Sequence, residues 1–217
     1  MSIYIFQKLA QSLCLIIFKF FFHFKIKNKK NFKLLKKNQF FIVSNHKGYF
    51  DAFLISVSIP FFLFLKTNFR YMTKPNWLNV YPFIKILGAY AIYRKNNDSF
   101  EKKMELTENF IKEGKNLLIF PEGTFSKNKK TLPAKQGIGY LSKKYNNIPI
   151  LPVFLENSEC VNKGKKINFK KILSRKHHIK IIIGKPFYYK DVADYKDDNL
   201  TVAQKIMERV NIIKDLK

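Results

Sequence analysis

Acidic residues are what this chain lacks most. It carries 15 Asp and Glu against 41 Lys and Arg in 217 residues, a formal net charge of +26. No acid precedes Asp51, which is also the only one in the first 97 residues. An AT-rich coding bias accounts for part of the Lys, Asn, Ile and Phe content but not for so few acids. Cysteine is scarce too. Cys14 sits in an apolar run and Cys160 in a polar stretch, without ligand-like spacing; this excludes a disulfide framework and a Cys-based zinc site, and predicts a reducing compartment. No Gly/Ser-rich linker divides the chain and no internal repeat is present. A clean apolar run of about 18–20 residues, the length a spanning helix needs, is also missing. With 47 % hydrophobic residues a wholly disordered chain is excluded, and the length suits one domain.

The surplus of positive charge is uneven. Lys25, Lys27, Lys29, Lys30, Lys33, Lys36 and Lys37 crowd one short stretch, and from Lys127 to Lys180 there are fourteen Lys and Arg against Glu156 and Glu159. From Lys190 onward six cations meet six acids. Such one-sided charge attracts polyanions, either nucleic acid or anionic lipid, unless it is merely a solvated face. The N-terminus favours lipid. Ile3 to Phe24 is mostly apolar but interrupted by Lys8, Lys19 and His23, and no small-residue cleavage site follows it. This pattern predicts a helix lying in or dipping into the membrane interface, with its basic flank among headgroups; a buried core helix is the alternative. The domain reading is therefore residues 1–37 as a membrane-associating helix and basic flank, and 38–217 as the main domain. Phe50 to Leu65, broken by Pro60, is a core helix or a membrane-facing surface.

Strand and helix signals alternate along the rest. Gln39–Ser44 reads as a buried strand and Asp51 to about Ile59 as a helix. Tyr71–Thr73 reads as a short strand, and Pro75 as the first turn of a helix running toward Leu87. Ala89–Arg94 alternates like a strand. Phe100, Met104, Thr107 and Ile111 fall on one helical face that ends near Gly114. Asn116–Phe120 is a strand entering a turn, Lys135–Tyr145 a helix, Ile148–Leu155 and Ile179–Ile183 strands, and the last twenty residues a helix. The pattern predicts an α/β fold: a mixed, largely parallel sheet flanked by helices.

The residues with chemical potential lie where strands end. Asn45-His46-Lys47-Gly48-Tyr49-Phe50-Asp51 follows the first buried strand directly, a loop position suited to reaching a ligand. On an unbroken helix Asp51 would stand about 140° round from His46, so the two meet only if the loop bends, and Gly48 permits a bend. Taken alone, the pair also reads as a capping Asp beside an unrelated loop His. Three further signals fall at matching places: Lys74 and Arg94 bracket a helix and strand, Phe120-Pro121-Glu122-Gly123-Thr124 leaves another strand end, and Leu151-Pro152-Val153-Phe154 forms the next apolar strand. His177 and His178 have no acid paired in sequence, and no His or carboxylate cluster has metal-ligand spacing, so no metal is expected.

Together these segments resemble the lysophosphatidic acid acyltransferase family of glycerolipid acyltransferases. Asn45-His46-x4-Asp51 is similar to its first box, Gly88 to Arg94 to its second, Phe120–Thr124 to its third, and Leu151–Phe154 to its fourth. Lys74 matches the lysine of its Ala-Lys-x-Glu-Leu segment, although Pro75 and Asn76 depart from that pattern. Lys135 and Gly137 resemble the lysine and glycine beyond the third box, and Ile182–Phe187 a late strand end. The likeness covers about residues 38–190. The family commonly has Arg after Glu-Gly-Thr; here Phe125 stands in that place, followed by Ser126 and Lys127, and Lys127, Lys129 or Lys130 could replace the arginine electrostatically but not its bidentate fork.

The resemblance implies acyl transfer from acyl-CoA or acyl carrier protein to the free hydroxyl of 1-acyl-glycerol-3-phosphate, with no resident cofactor. In that reading His46 is the general base and Asp51 orients it. Lys74 and Arg94 grip the acceptor phosphate, Glu122 orients basic neighbours or a turn, and the Gly123 and Thr124 amides face the substrate. The implied partners are anionic membrane lipids, a lysophospholipid and an acyl thioester, without nucleic acid, at the cytoplasmic face of the cell membrane. The alternatives are the same fold acylating a lyso-aminolipid or lysoglycolipid, or a basic non-catalytic protein binding membrane or nucleic acid.

Overall fold

A computed structural model describes residues 8, 9, 12, 13, 15–17, 20–35, 39–92, 98–124, 132–163, 166–174 and 178–215. Its sheet is built from runs of apolar residues buried on both faces. The strands are β1 (Phe24–Lys27), β2 (Phe41–Ser44), β3 (Phe69–Thr73), β4 (Ala89–Ala91), β5 (Asn116–Ile119), β6 (Ile150–Glu156) and, after a short hairpin of β7 (Asn162–Lys163) and β8 (Lys166–Ile167), β9 (Ile179–Ile183). Seven of them form one sheet in the order β1-β9-β6-β2-β5-β3-β4. Neighbours from β6 to β4 pair in parallel, whereas β9 runs antiparallel to β6 and carries β1 parallel to itself at the edge. The sheet is mixed and largely parallel.

Side-chain alternation sorts the core into two layers. On β2, Phe41 and Val43 join a cluster with Met104, Ile138, Ile206 and Val210, whereas Ile42 joins the opposite cluster with Phe40, Leu54, Leu151 and Ile181. A strand covered on both sides must be apolar at successive positions, which is why β2 and β6 read as continuous hydrophobic runs. The helices are α1 (Asp51–Ser58), α2 (Phe61–Lys66), α3 (Pro75–Val80), α4 (Phe100–Lys112), α5 (Gly137–Lys144), α6 (Phe169–Leu173) and α7 (Asn199–Ile212). α1 and α2 lie over one face, with α4, α5 and α7 over the other. Side chains start the longer helices: Ser99 accepts from the Lys102 amide and Asp198 from the Thr201 amide. On α7, Val202, Ala203, Ile206, Met207 and Val210 make one buried face.

Two differences from the sequence reading have physical causes. The helix expected from Pro75 toward Leu87 ends at Val80 and resumes as a 3-10 turn over Pro82–Lys85, because Pro82 has no N–H to donate and its ring clashes with the preceding turn. The basic stretch expected as a separate flank contains strand β1, with Ile26 opposite Ile181, and Phe32 is buried behind it. A boundary at residue 37 therefore does not coincide with the edge of the sheet. Four alternating residues, Phe-Lys-Ile-Lys, were too few and too charged to read as a strand beside so apolar a run.

At the N-terminus, Lys8 is buried, donating its ammonium protons to the carbonyls of Thr67 and Phe64 (2.9 Å), and burial lowers it to about 8. Leu9, Leu13, Ile16, Ile17 and Phe20 point outward. Among the described residues no helix is long and apolar enough to cross a membrane.

α5 and α7 cross at their closest through Gly139, where a Cβ would sit 1.8 Å from the Asn199 carbonyl oxygen. Gly139→Ala is expected to push the helices apart and cost about 1–3 kcal/mol, as overpacked cores do. Thermal unfolding would check this; an unchanged midpoint would show that the crossing yields freely.

Candidate active site

Parallel strands put their carboxyl ends on one edge, and that edge gathers the candidate residues. β2 ends at Ser44 and leads into His46; β5, its neighbour, ends at Ile119 and leads into Phe120–Thr124. Val43 lies opposite Ile119, so three residues further on His46 comes level with Glu122. The His46 amide donates to Glu122 Oε1 at 2.8 Å, and Glu122 Oε2 accepts from the Leu132 amide at 2.8 Å. Glu122 is 2 % exposed. Burial raises its carboxyl above the ordinary glutamate value, against the pull of the His46 and Leu132 N–H groups. This carboxylate acts on backbone: it ties the His46 loop to the far side of the 125–131 segment.

Asn45 explains itself in the same way. Its side-chain oxygen accepts from the Leu155 amide at 2.7 Å, and its side-chain nitrogen donates to the Leu155 carbonyl at 2.9 Å. A fully buried amide thus extends the sheet pairing of β2 with β6 by one rung and leaves no polar atom unsatisfied.

The loop bends back so that His46 Nδ1 lies 2.9 Å from Asp51 Oδ2. The same oxygen accepts from the amides of Lys47 at 2.6 Å and Gly48 at 2.8 Å. Asp51 is wholly buried at the first turn of α1, and its Oδ1 has no hydrogen-bond partner among the described residues. The bend needs no left-handed glycine: among the described residues, positive φ at glycine occurs at Gly88, Gly114 and Gly123, and not at Gly48. The Phe120 ring stacks on His46 with centroids 4.3 Å apart and planes 21° apart. The imidazole is thus held in plane by Phe120 and in azimuth by Asp51. Its side chain remains 22 % exposed, and Nδ1 is the ring nitrogen turned to Asp51.

Lys74 follows the end of β3, on the same edge but two strand positions from β2, about 10 Å along the sheet. It is exposed. Arg94 lies outside the described residues, as do Phe125, Lys127, Lys129 and Lys130. Gly123 is corrected in one respect: its amide donates to the Phe120 carbonyl at 3.0 Å, closing the turn and not facing a substrate. Thr124 is half-buried at the last described position of that loop. The sequence reading missed Phe120 as a ring against His46, the Leu132 amide as the second hold on Glu122, and the Lys135 side chain lying over Gly123. The spacing of the third box pointed to the turn but not to what it touches.

The model of the acyltransferase family matches residues 23–156, more than half of the chain. The chain belongs to the acyltransferase family. It is 26 % identical over 172 residues to the chloroplastic 1-acyl-sn-glycerol-3-phosphate acyltransferase BAT2 of Brassica napus, covering 79 % of this chain and 46 % of that one. It is 29 % identical over 116 residues to a 1-acyl-sn-glycerol-3-phosphate acyltransferase of Cocos nucifera, covering 52 % of this chain and 36 % of that one. The chain therefore spans less than half the length of these curated relatives. Its fold is similar to that of the 1-acyl-sn-glycerophosphate acyltransferase PlsC of Thermotoga maritima, with a TM-score of 0.65 and 18 % identity over 99 % of this chain and 78 % of that one. The acyltransferase match begins at residue 23, so it takes in β1, the edge strand that had been read as flank.

Glu122→Ala would leave the His46 and Leu132 amides without an acceptor, and is expected to destabilise the fold by about 2–6 kcal/mol, from about 1–3 kcal/mol for each donor. The pH dependence has a definite sign. With its folded value raised, the Glu122 carboxyl stabilises the fold most when protonated, and that contribution is lost as pH rises from the ordinary glutamate range through the raised value. Urea unfolding of wild type and Glu122→Gln across that range would check this: the variant should lack that part of the slope.

Proposed function

We propose that this protein transfers a fatty acyl group from a thioester, acyl-CoA or acyl carrier protein, to the free hydroxyl of 1-acyl-glycerol-3-phosphate, forming phosphatidic acid. The observation that carries the proposal is the His46–Asp51 pair, 2.9 Å apart on a partly open sheet edge, in a chain of the acyltransferase family. The names of the two plant relatives supply the acceptor.

The chemistry follows from the geometry. Nδ1 faces a carboxylate oxygen that already accepts two amides, so Nδ1 carries the proton and Nε2 is the base. Nε2 takes the hydroxyl proton as the oxygen attacks the thioester carbonyl. The tetrahedral centre collapses, the C–S bond breaks, and the thiolate leaves with the proton that the imidazolium returns. Asp51 stabilises the transient imidazolium. The lipid hydroxyl is itself the nucleophile, so the route needs neither an acyl-enzyme nor a resident cofactor. Lys74 and Arg94 hold the acceptor phosphate in this reading.

The N-terminal residues support work at a membrane surface. A segment that buries Lys8 and exposes Leu9, Leu13, Ile16, Ile17 and Phe20 is inverted for water and suited to lipid. The net charge of +26 suits an anionic leaflet, and a thioester made inside the cell places the active edge on the cytoplasmic face. A second reading keeps the fold and changes the acceptor to another lyso-lipid; Phe125, where the family commonly has arginine, is what favours it.

His46→Ala should cut acyl transfer by about 10²- to 10⁴-fold, the range of general-base assistance, with Asp51→Asn close behind. The assay is labelled phosphatidate formed from 1-acyl-lysophosphatidate and a labelled acyl thioester, with the variants matched for abundance. Equal activity in wild type and His46→Ala would remove the proposed base; no product from folded wild type with either donor would direct the search to other lyso-lipids. For the membrane, the triple variant Leu13→Glu, Ile16→Glu, Phe20→Glu should lose most of its co-sedimentation with phosphatidylglycerol vesicles. Unchanged sedimentation would assign binding to another surface.

A further inference from the structure

Lys135 lies where a headgroup cation belongs, and nothing in the proposed reaction has yet used it. Its amide donates to the Pro121 carbonyl at 2.9 Å, which pins its backbone against the turn that follows β5. Its side chain then runs across Gly123. A Cβ built on Gly123 would stand 3.0 Å from Lys135 Nζ, 3.1 Å from Cδ and 3.2 Å from Cε. Gly123 is also at φ +67°, so glycine serves twice there: it takes the left-handed conformation and it leaves the space that the lysine stem occupies.

Among the described residues no carboxylate lies within ion-pair distance of the Lys135 ammonium, although Lys102, Lys115, Lys144, Lys180 and Lys205 all have such partners. The residue is exposed, and its neighbour Ala134 is buried. The cation also stands close to the reacting pair in connectivity: it covers Gly123, the next residue is Glu122, and the Glu122 carboxylate touches the His46 amide. In 1-acyl-glycerol-3-phosphate the hydroxyl to be acylated and the phosphate sit on adjacent carbons. A hydroxyl at His46 therefore brings a phosphate dianion into the vicinity of the third-box turn. The Glu122 carboxylate is turned away from that role, since both of its oxygens accept backbone amides.

We propose that Lys135, laid over Gly123, is a specificity-determining residue that binds the phosphate of the acceptor, in a chain whose sequence has Phe125 where the family commonly has arginine. The assignment rests on the proposed acceptor and deepens it. A lysine makes a point-charge contact without a fork, so it senses a phosphomonoester chiefly by charge.

The experiment compares wild type, Lys135→Met and Lys135→Arg, as full chains in mixed micelles, with 1-acyl-lysophosphatidate as the varied substrate. Methionine keeps the unbranched stem and deletes the charge. Losing one charged contact that forms equally in ground and transition states should raise KM about tenfold or more and leave kcat within about threefold. Lys135→Arg should bring KM back to within about threefold of wild type. Inorganic phosphate, as a competitor of the acceptor, should inhibit wild type and inhibit Lys135→Met far less. An unchanged KM in Lys135→Met, a fall in kcat alone, or no recovery in Lys135→Arg would overturn the assignment. Equilibrium retention of lysophosphatidate against monoacylglycerol, which lacks the phosphate, separates this idea from the reaction itself. If wild type binds lysophosphatidate but makes no phosphatidate, the reaction proposed above fails, and Lys135 stands only if Lys135→Met loses that binding. Equal retention by both proteins would overturn it.

Discussion

Val43 and Ile119 face each other across two parallel strands, and the whole candidate site is an extension of that pairing. Once β2 and β5 are in this register, the loops that leave them run side by side, and the first polar group each needs is on the other. His46 has an amide that the sheet no longer satisfies; Glu122 has a buried carboxylate that must be satisfied. An unpaired buried donor or acceptor costs about 1–3 kcal/mol, so the two loops close on one another. On the other side of β2, Asn45 does the same with Leu155. The histidine loop is thus fixed from both neighbouring strands.

Electrostatics divides the molecule between a site and a surface. Four acids are engaged internally: Asp51 and Glu122 hold the His46 loop, Glu108 is buried against Lys144, Tyr140 and Tyr145, and Glu156 meets Lys180. The net charge of +26 attracts polyanions without specifying which. Specificity has to come from cations held in place, and Lys135 is held by its backbone and by the shape of Gly123.

The fold was legible to the extent that it depends on local pattern. Apolar runs at Gln39–Ser44, Asn116–Phe120 and Ile148–Leu155 announced the strands observed at Phe41–Ser44, Asn116–Ile119 and Ile150–Glu156, and the face of Phe100, Met104, Thr107 and Ile111 announced α4. Pro82 is equally visible, but the residues around it are mostly apolar and carry the helical pattern across the break. β1 was not legible at all: Phe24–Lys27 becomes a strand only because Ile179–Ile183 offers an open edge, 155 residues away at Phe24 and Ile179. The meeting of His46 and Asp51 could be anticipated from the box, but its cause could not. The bend comes from three N–H groups converging on one carboxylate oxygen, without a left-handed glycine.

By itself the sequence determined the family, the order of elements and the residues that gather at the carboxyl ends of the strands, because periodicity and short motifs are properties of neighbouring residues. Tertiary structure alone decided that Glu122 serves the backbone of His46, that Gly123 spends its amide inside its own turn, and that Lys135 lies across Gly123. Those facts depend on strand register and on the packing of one loop against another. Both are settled by contacts between segments far apart in the chain, where no local pattern records which partner a polar group will find.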